Sequence, residues 1–152
     1  PDDCVMGEKP SPHNADMKKA MRWMFKPSLD KASADCYSSS VGSLDVHYSS
    51  GVANHFYYLL AEGAVVPSGF GAGTWANLTP AKLVCNGNTS LAGIGRDKAS
   101  KIWYLALTAY MTSTTNYAGA RSATLSAAAE LYGNGSAEYN AVAAAWSAVS
   151  VS

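Results

Sequence analysis

Asp45 stands two residues ahead of His47 in the stretch SLDVHYSSGVANHFYYLLAEG, residues 43 to 63, at the entrance to a run with helical periodicity. An imidazole at a helix N-terminus feels two opposed fields: the helix dipole disfavours a positive charge on it, whereas a nearby carboxylate favours one. A carboxylate at this spacing can also accept the Nδ1 hydrogen and hold the ring with Nε2 turned outward, where it can donate to an oxygen that gains negative charge. The competing reading has Asp45 capping a turn and His47 simply exposed, and these two residues alone lean toward it.

Spacing sets several other chemistries aside. A zinc peptidase helix needs two histidines one turn apart with a glutamate beside the first, H-E-x-x-H, and His13, His47 and His55 are never four apart. His47 and His55 are eight residues apart, a rotation of about 80° around a helix axis, so they do not pair as ligands, and His55 reads as an ordinary, partly buried residue. Neither PSGFGAG nor HYSSG matches the G-x-S-x-G elbow of a serine hydrolase, which leaves Ser49 and Ser50 as helix caps. The glycines at 69 to 73 lack the preceding strand and following helix of a dinucleotide loop.

The elements that would carry these residues are helical. Met17, Ala20, Met21 and Met24 recur at spacings of three and four, which predicts a short helix from Ala15 to Met24 that Pro27 ends. Val52, Phe56, Leu59 and Leu60 form the buried stripe of a second helix, closed by Gly63. Between Gly63 and Gly95 the chain is rich in Gly, Ser, Asn and Pro, with room for a small hairpin near Ala81 to Cys85. After GIGRDK a broad face of Ala99, Ile102, Trp103, Ala106, Leu107 and Tyr110 predicts a third helix. Two more follow: one from about Ala118 to Tyr132, stopped at Gly133-Asn134-Gly135, and one capped by Ser136 that buries Tyr139, Val142, Ala145 and Trp146. The sum is a mainly α domain of about five helices occupying residues 1–152.

Composition adds limits rather than a function. Lys+Arg and Asp+Glu both count 11 in 152 residues, and 14% of residues are charged, so no charge excess steers the surface toward nucleic acid or an acidic membrane. No apolar run approaches the roughly 20 residues of a bilayer span. The chain starts at Pro1 rather than Met, which reads as a processed product or an excised part. Cys4, Cys36 and Cys85 show no C-x-x-C spacing. A bridge between Cys36 and Cys85 would tie the loop before His47 to the connection after it; three reduced thiols are the other reading.

D-x-H-x-S-S-G-x-x-N from Asp45 to Asn54, the G-I-G-R-D-K turn into a helix, and T-x-T-x-N-Y followed by L-Y-G together resemble the C-terminal lobe of the thermolysin-like secreted metalloendopeptidases. The resemblance implies an orthogonal bundle of helices forming one wall of a peptide-binding cleft, with zinc held by H-E-x-x-H and a further glutamate on an N-terminal lobe absent from this chain. His47 would match the oxyanion-stabilising histidine and Asp45 the carboxylate that orients it; Arg22 would bind the substrate carbonyl on the leaving side, and Met6 and Met21 would line an apolar primed-side pocket. Relatives also hold calcium just ahead of a Gly-Glu pair, which points to Asp3, Val5 and Glu8, although Cys4 and Lys9 depart from that pattern. The implied partners are the zinc-binding lobe, peptide or protein substrates and a propeptide, and the implied location is extracellular. On this reading the lobe alone is inactive. The alternative is a non-catalytic helical binding domain derived from such a peptidase.

Overall fold

The computed structural model describes the backbone of Val5–Met6 and all of residues 22–152. Val5–Met6 (β1) pairs antiparallel with Arg22–Trp23 (β2), Val5 opposite Trp23 and Met6 opposite Arg22. One-turn α1 (Val46–Ser49) leads directly into α2 (Gly51–Glu62); α3 (Arg96–Leu105), α4 (Tyr117–Tyr132) and α5 (Ala137–Ala148) complete the helices. The mainly helical architecture expected from the periodicity is therefore present, with one correction at its start. The expected helix from Ala15 to Met24 does not include its last residues: Arg22–Trp23 is a strand and Met24 lies in a turn, while 15–21 fall outside the described residues. Backbone pairing to β1 overrides the three-and-four spacing there, as tertiary context commonly does.

Phe56 of α2 is the centre about which the helices pack. Its ring stacks on that of Trp146 from α5, with centroids 3.7 Å apart and planes 11° from parallel, and Trp103 of α3 tilts against it at 5.9 Å. Trp146 is fully buried, so its indole N–H must find an acceptor. It donates to Thr124 Oγ1 of α4 at 2.7 Å, and that hydroxyl in turn donates to Ala120 O at 2.8 Å. A second aromatic group, Phe25, Tyr58, Phe70, Trp23 and Trp75 in edge contacts, roofs the other side of α2.

Backbone groups at the end of α2 explain the G-I-G sequence before α3. The last carbonyls of a helix lack intrahelical partners. Those of Leu60 and Ala61 accept from Ile94 N and Gly95 N, both at 2.9 Å, while Ala64 N donates to Leu91 O at 2.9 Å. A Cβ at Gly63 would sit 2.5 Å from Leu91 O, and one at Gly93 would collide with the backbone of Ala61 and Glu62. Gly63 also has φ +79°, so glycine is required there twice over.

Elsewhere three local expectations fail. Ala81 to Cys85 is not a hairpin: Pro80–Leu83 is a 3-10 turn that buries Leu83, and Val84 continues extended. Pro80 fits the first turn, where its missing N–H costs nothing. Ser49 and Ser50 do not cap α2, because α1 runs into it; Ser50 Oγ instead donates back to His47 O at 3.2 Å. Beyond Leu105 the helix widens into a π turn, Ala106–Tyr110, closed by Met111 N donating to Ala106 O at 2.9 Å. The wider turn rotates the last residues off the buried face. Ala99, Ile102 and Ala106 are buried as expected, whereas Leu107 and Tyr110 are exposed.

Cys36 and Cys85 are joined by a disulfide that closes 49 residues of sequence. His55, expected to be partly buried, is fully buried on α2. Its Nδ1–H donates to Asp35 O at 2.9 Å, and its Nε2 lies near the backbone of Leu83 without a hydrogen bond of ordinary geometry among the described residues.

Two measurements probe this core. Thr124→Val should leave the Trp146 indole unsatisfied and cost about 1–3 kcal/mol in denaturant unfolding, with Thr124→Ser restoring most of it; equal stability of the valine variant would detach Thr124 from the packing of α4 on α5. Burial holds the His55 imidazole below its ordinary pKa. The unfolded chain takes up that proton near pH 6.5 while the folded one does not, so between the two values the unfolded state binds more protons and stability falls as pH falls. The melting temperature should therefore decline on acidification below about pH 6.5, and decline less in His55→Gln.

Candidate active site

Asp45 is both cap and orienter. Its Oδ1 accepts the His47 backbone N–H at 2.9 Å, which caps α1, and the same oxygen lies 2.5 Å from His47 Nδ1. These two bonds from His47, the backbone one first, hold the Asp45 carboxyl below the usual carboxylate range. With Nδ1–H committed to the carboxylate, Nε2 carries a hydrogen only when the ring is protonated. Both side chains face solvent, 72% exposed for His47 and 59% for Asp45.

An exposed one-turn helix needs external support to hold a side chain in place. Ala34 N donates to Tyr48 O at 3.1 Å from one side, and Tyr117 OH donates to Ser49 O at 2.7 Å from the other. Tyr117 is the last residue of the T-x-T-x-N-Y motif, and Asn116 before it caps α4 by accepting from Gly119 N at 2.9 Å. Sequence reasoning singled out that motif without assigning Tyr117 a task. Its place beside Asn116, at the start of a helix, was the available signal.

Arg22 lies on β2 opposite Met6 in the backbone register, so two of the expected substrate-facing positions are neighbours. Its Nη1 is 4.0 Å from Asp30 Oδ2. Burial pushes the Asp30 carboxyl up, but bonds from the Ser33 hydroxyl and the Ser33 and Ala32 amides, with the Arg22 charge, bring it below its ordinary value. The segment from Pro27 to Asp35 contacts both neighbourhoods, Arg22 through Asp30 and the His47 turn through Ala34 N on Tyr48 O. Met21, Asp3 and Glu8 lie outside the described residues, and Val5 is described only as strand backbone.

Among the described residues no group of three or more His, Cys, Asp or Glu side chains is placed to hold a metal ion. A zinc site does not fit these residues, and no described helix is long and apolar enough to cross a membrane.

The sequence matches the family model described as thermolysin metallopeptidase, alpha-helical domain, over residues 1–151. It is 47% identical over 151 residues to the transglutaminase-activating metalloprotease of Streptomyces mobaraensis, covering 99% of this chain and 19% of that protein. It is 37% identical over 115 residues to a bacillolysin of Bacillus caldolyticus, covering 76% of this chain and 18% of the relative. Thermolysin of Alicyclobacillus acidocaldarius subsp. acidocaldarius matches at the same 37% over 115 residues, 76% of this chain and 17% of that protein. The chain thus spans about a fifth of the length of the curated relatives it matches. With the helical fold and the capped Asp45–His47 turn in place, the chain belongs to the thermolysin metallopeptidase family, as its alpha-helical domain.

Proposed function

We propose that this chain is the helical lobe of a secreted zinc endopeptidase and that it stabilises the oxyanion formed during peptide hydrolysis. The observation that carries the reading is the shared Asp45 Oδ1, which fixes the His47 ring while leaving Nε2 open to solvent. Attack of water on a peptide carbonyl gives a tetrahedral intermediate whose oxygen carries negative charge, and a fixed donor aimed at that oxygen lowers the barrier because it needs no reorganisation. In this reading His47 is the donor, Asp45 holds its orientation, and Arg22 grips a substrate carbonyl on the leaving side. Met6 and Met21 would favour bulky apolar residues after the cut.

Zinc belongs, in the same reading, to the N-terminal lobe. Calcium at Asp3, Val5 and Glu8 and a propeptide partner are further parts of the proposal. A disulfide between Cys36 and Cys85 supports an oxidising, extracellular location. The lobe by itself is expected to hydrolyse no peptide.

In the full-length enzyme, His47→Ala should lower kcat by about 10² to 10³ and change KM little, because the donor is engaged mainly once the charge has developed. Unchanged kcat would return His47 to an exposed bystander. Asp45→Asn keeps the shape but replaces the acceptor with an amide that can also donate, so the ring loses both its fixed orientation and its charged neighbour. The variant should melt close to wild type and turn over more slowly, since the ring is no longer held by a carboxylate that only accepts. Normal melting together with an unchanged rate would reduce Asp45 to a turn cap.

A further inference from the structure

We propose that the segment Pro27–Asp35 is a positioning strap that sets Arg22 and His47 relative to each other, with Asp30 acting on the first and Asp35 on the second. The proposal rests on the roles given to Arg22 and His47 above and names what holds them in register.

The strap reaches both residues. At its near end Asp30 Oδ2 approaches Arg22 Nη1 at 4.0 Å, and at its far end Ala34 N donates to Tyr48 O at 3.1 Å, within the turn that carries His47. Two carboxylates fold the segment on itself. Asp30 accepts from Ala32 N at 2.8 Å, from Ser33 N at 2.7 Å and from Ser33 Oγ at 2.5 Å. Asp35 accepts from Ser28 N at 2.8 Å and Ser28 Oγ at 2.7 Å, and pairs with Lys26 Nζ at 2.6 Å. An ordinary surface connection keeps its carboxylates in water. Here the Asp30 and Asp35 side chains are only 15% and 12% exposed, and each carboxylate has several donors that offset its removal from water.

The strap is also fastened to the body of the fold. The buried His55 Nδ1–H donates to Asp35 O, and the next residue, Cys36, is covalently tied to Cys85. Ala34 O lies 2.5 Å from where a Cβ on Gly51 would sit, so the strap rests directly on the first residue of α2. Lys31 takes a left-handed conformation, φ +68°, to close the turn between the two carboxylates. A segment held this way moves as a unit. Because a displacement of about 1 Å at a catalytic group can cost about 10²-fold in rate, loosening one end should register in the step that end controls.

The test uses the full-length enzyme with two double-mutant cycles. Asp35→Asn should lower kcat about tenfold or more with KM nearly constant, and should add nothing in a His47→Ala background. Asp30→Asn should raise KM several-fold with kcat nearly constant, and should add nothing in an Arg22→Ala background. Ser28→Ala, which removes one hydroxyl bond to Asp35, should reproduce the Asp35→Asn effect in the same direction at smaller size and carries that arm if Asp35→Asn does not fold. Full additivity in either cycle, wild-type kinetics in the strap variants, or parallel changes in kcat and KM that track melting temperature would overturn the strap. If His47→Ala alone leaves kcat untouched, the role given to His47 fails first and the proposal falls with it; if His47→Ala is costly and Asp35→Asn adds its full effect on top, only the strap fails.

Discussion

The stack of Phe56 on Trp146 is the contact on which the helical arrangement depends. It joins α2 to α5, and the indole N–H that must be satisfied once Trp146 is buried brings in α4 through Thr124. Trp103 places α3 against the same ring. One aromatic pair therefore fixes the relative position of four helices, and the polar bond to Thr124 selects a single register for α4, whose many alanines would otherwise permit sliding. Large aromatic side chains suit this task, since each buries much area with few rotatable bonds.

A second constraint gathers the irregular segments. Cys85 N donates to Ala148 O at 2.7 Å and Tyr37 N donates to Val149 O at 2.8 Å, so the chain around both half-cystines is fastened to the end of α5. Arg121 Nη1 adds bonds to Ala143 O at 3.0 Å and Val151 O at 3.2 Å from α4. The disulfide closes a loop of a size that stabilises by about 2–4 kcal/mol through the unfolded state. Its position matters as much as its magnitude. It anchors the segment beside α1, so the candidate site stands on an exposed turn whose supports lead back to the buried core.

How far the sequence discloses this depends on how local the determining contacts are. α4 and α5 were legible because their caps, Ser136 among them, and their glycine stop at Gly133 act within a few residues. The Asp45–His47 hydrogen bonds are local in the same way. Residues 63–95 were not, because their form is set by distant partners: Ile94 N on Leu60 O, Cys85 on Cys36, Leu78 N on Phe70 O beneath an aromatic roof. The π turn after Leu105 likewise has no periodic signature, and the strand at Arg22 exists through its pairing with Val5–Met6. Tyr117 escaped notice as a support because it reaches Ser49 over 68 positions, and Asp30 and Asp35 because the irregular turn they fold has no periodic signature.

The sequence posed Asp45 as either a turn cap or an orienting carboxylate, and the geometry makes the two inseparable. The cap bond brings Oδ1 to the His47 amide, and from that position the ring nitrogen two bonds beyond Cβ falls within reach of the same oxygen. A cap at this place costs nothing in orienting power; it is the means of orienting. A single oxygen thus starts the turn and turns the imidazole, which is why the turn can remain exposed on the surface without losing its definition.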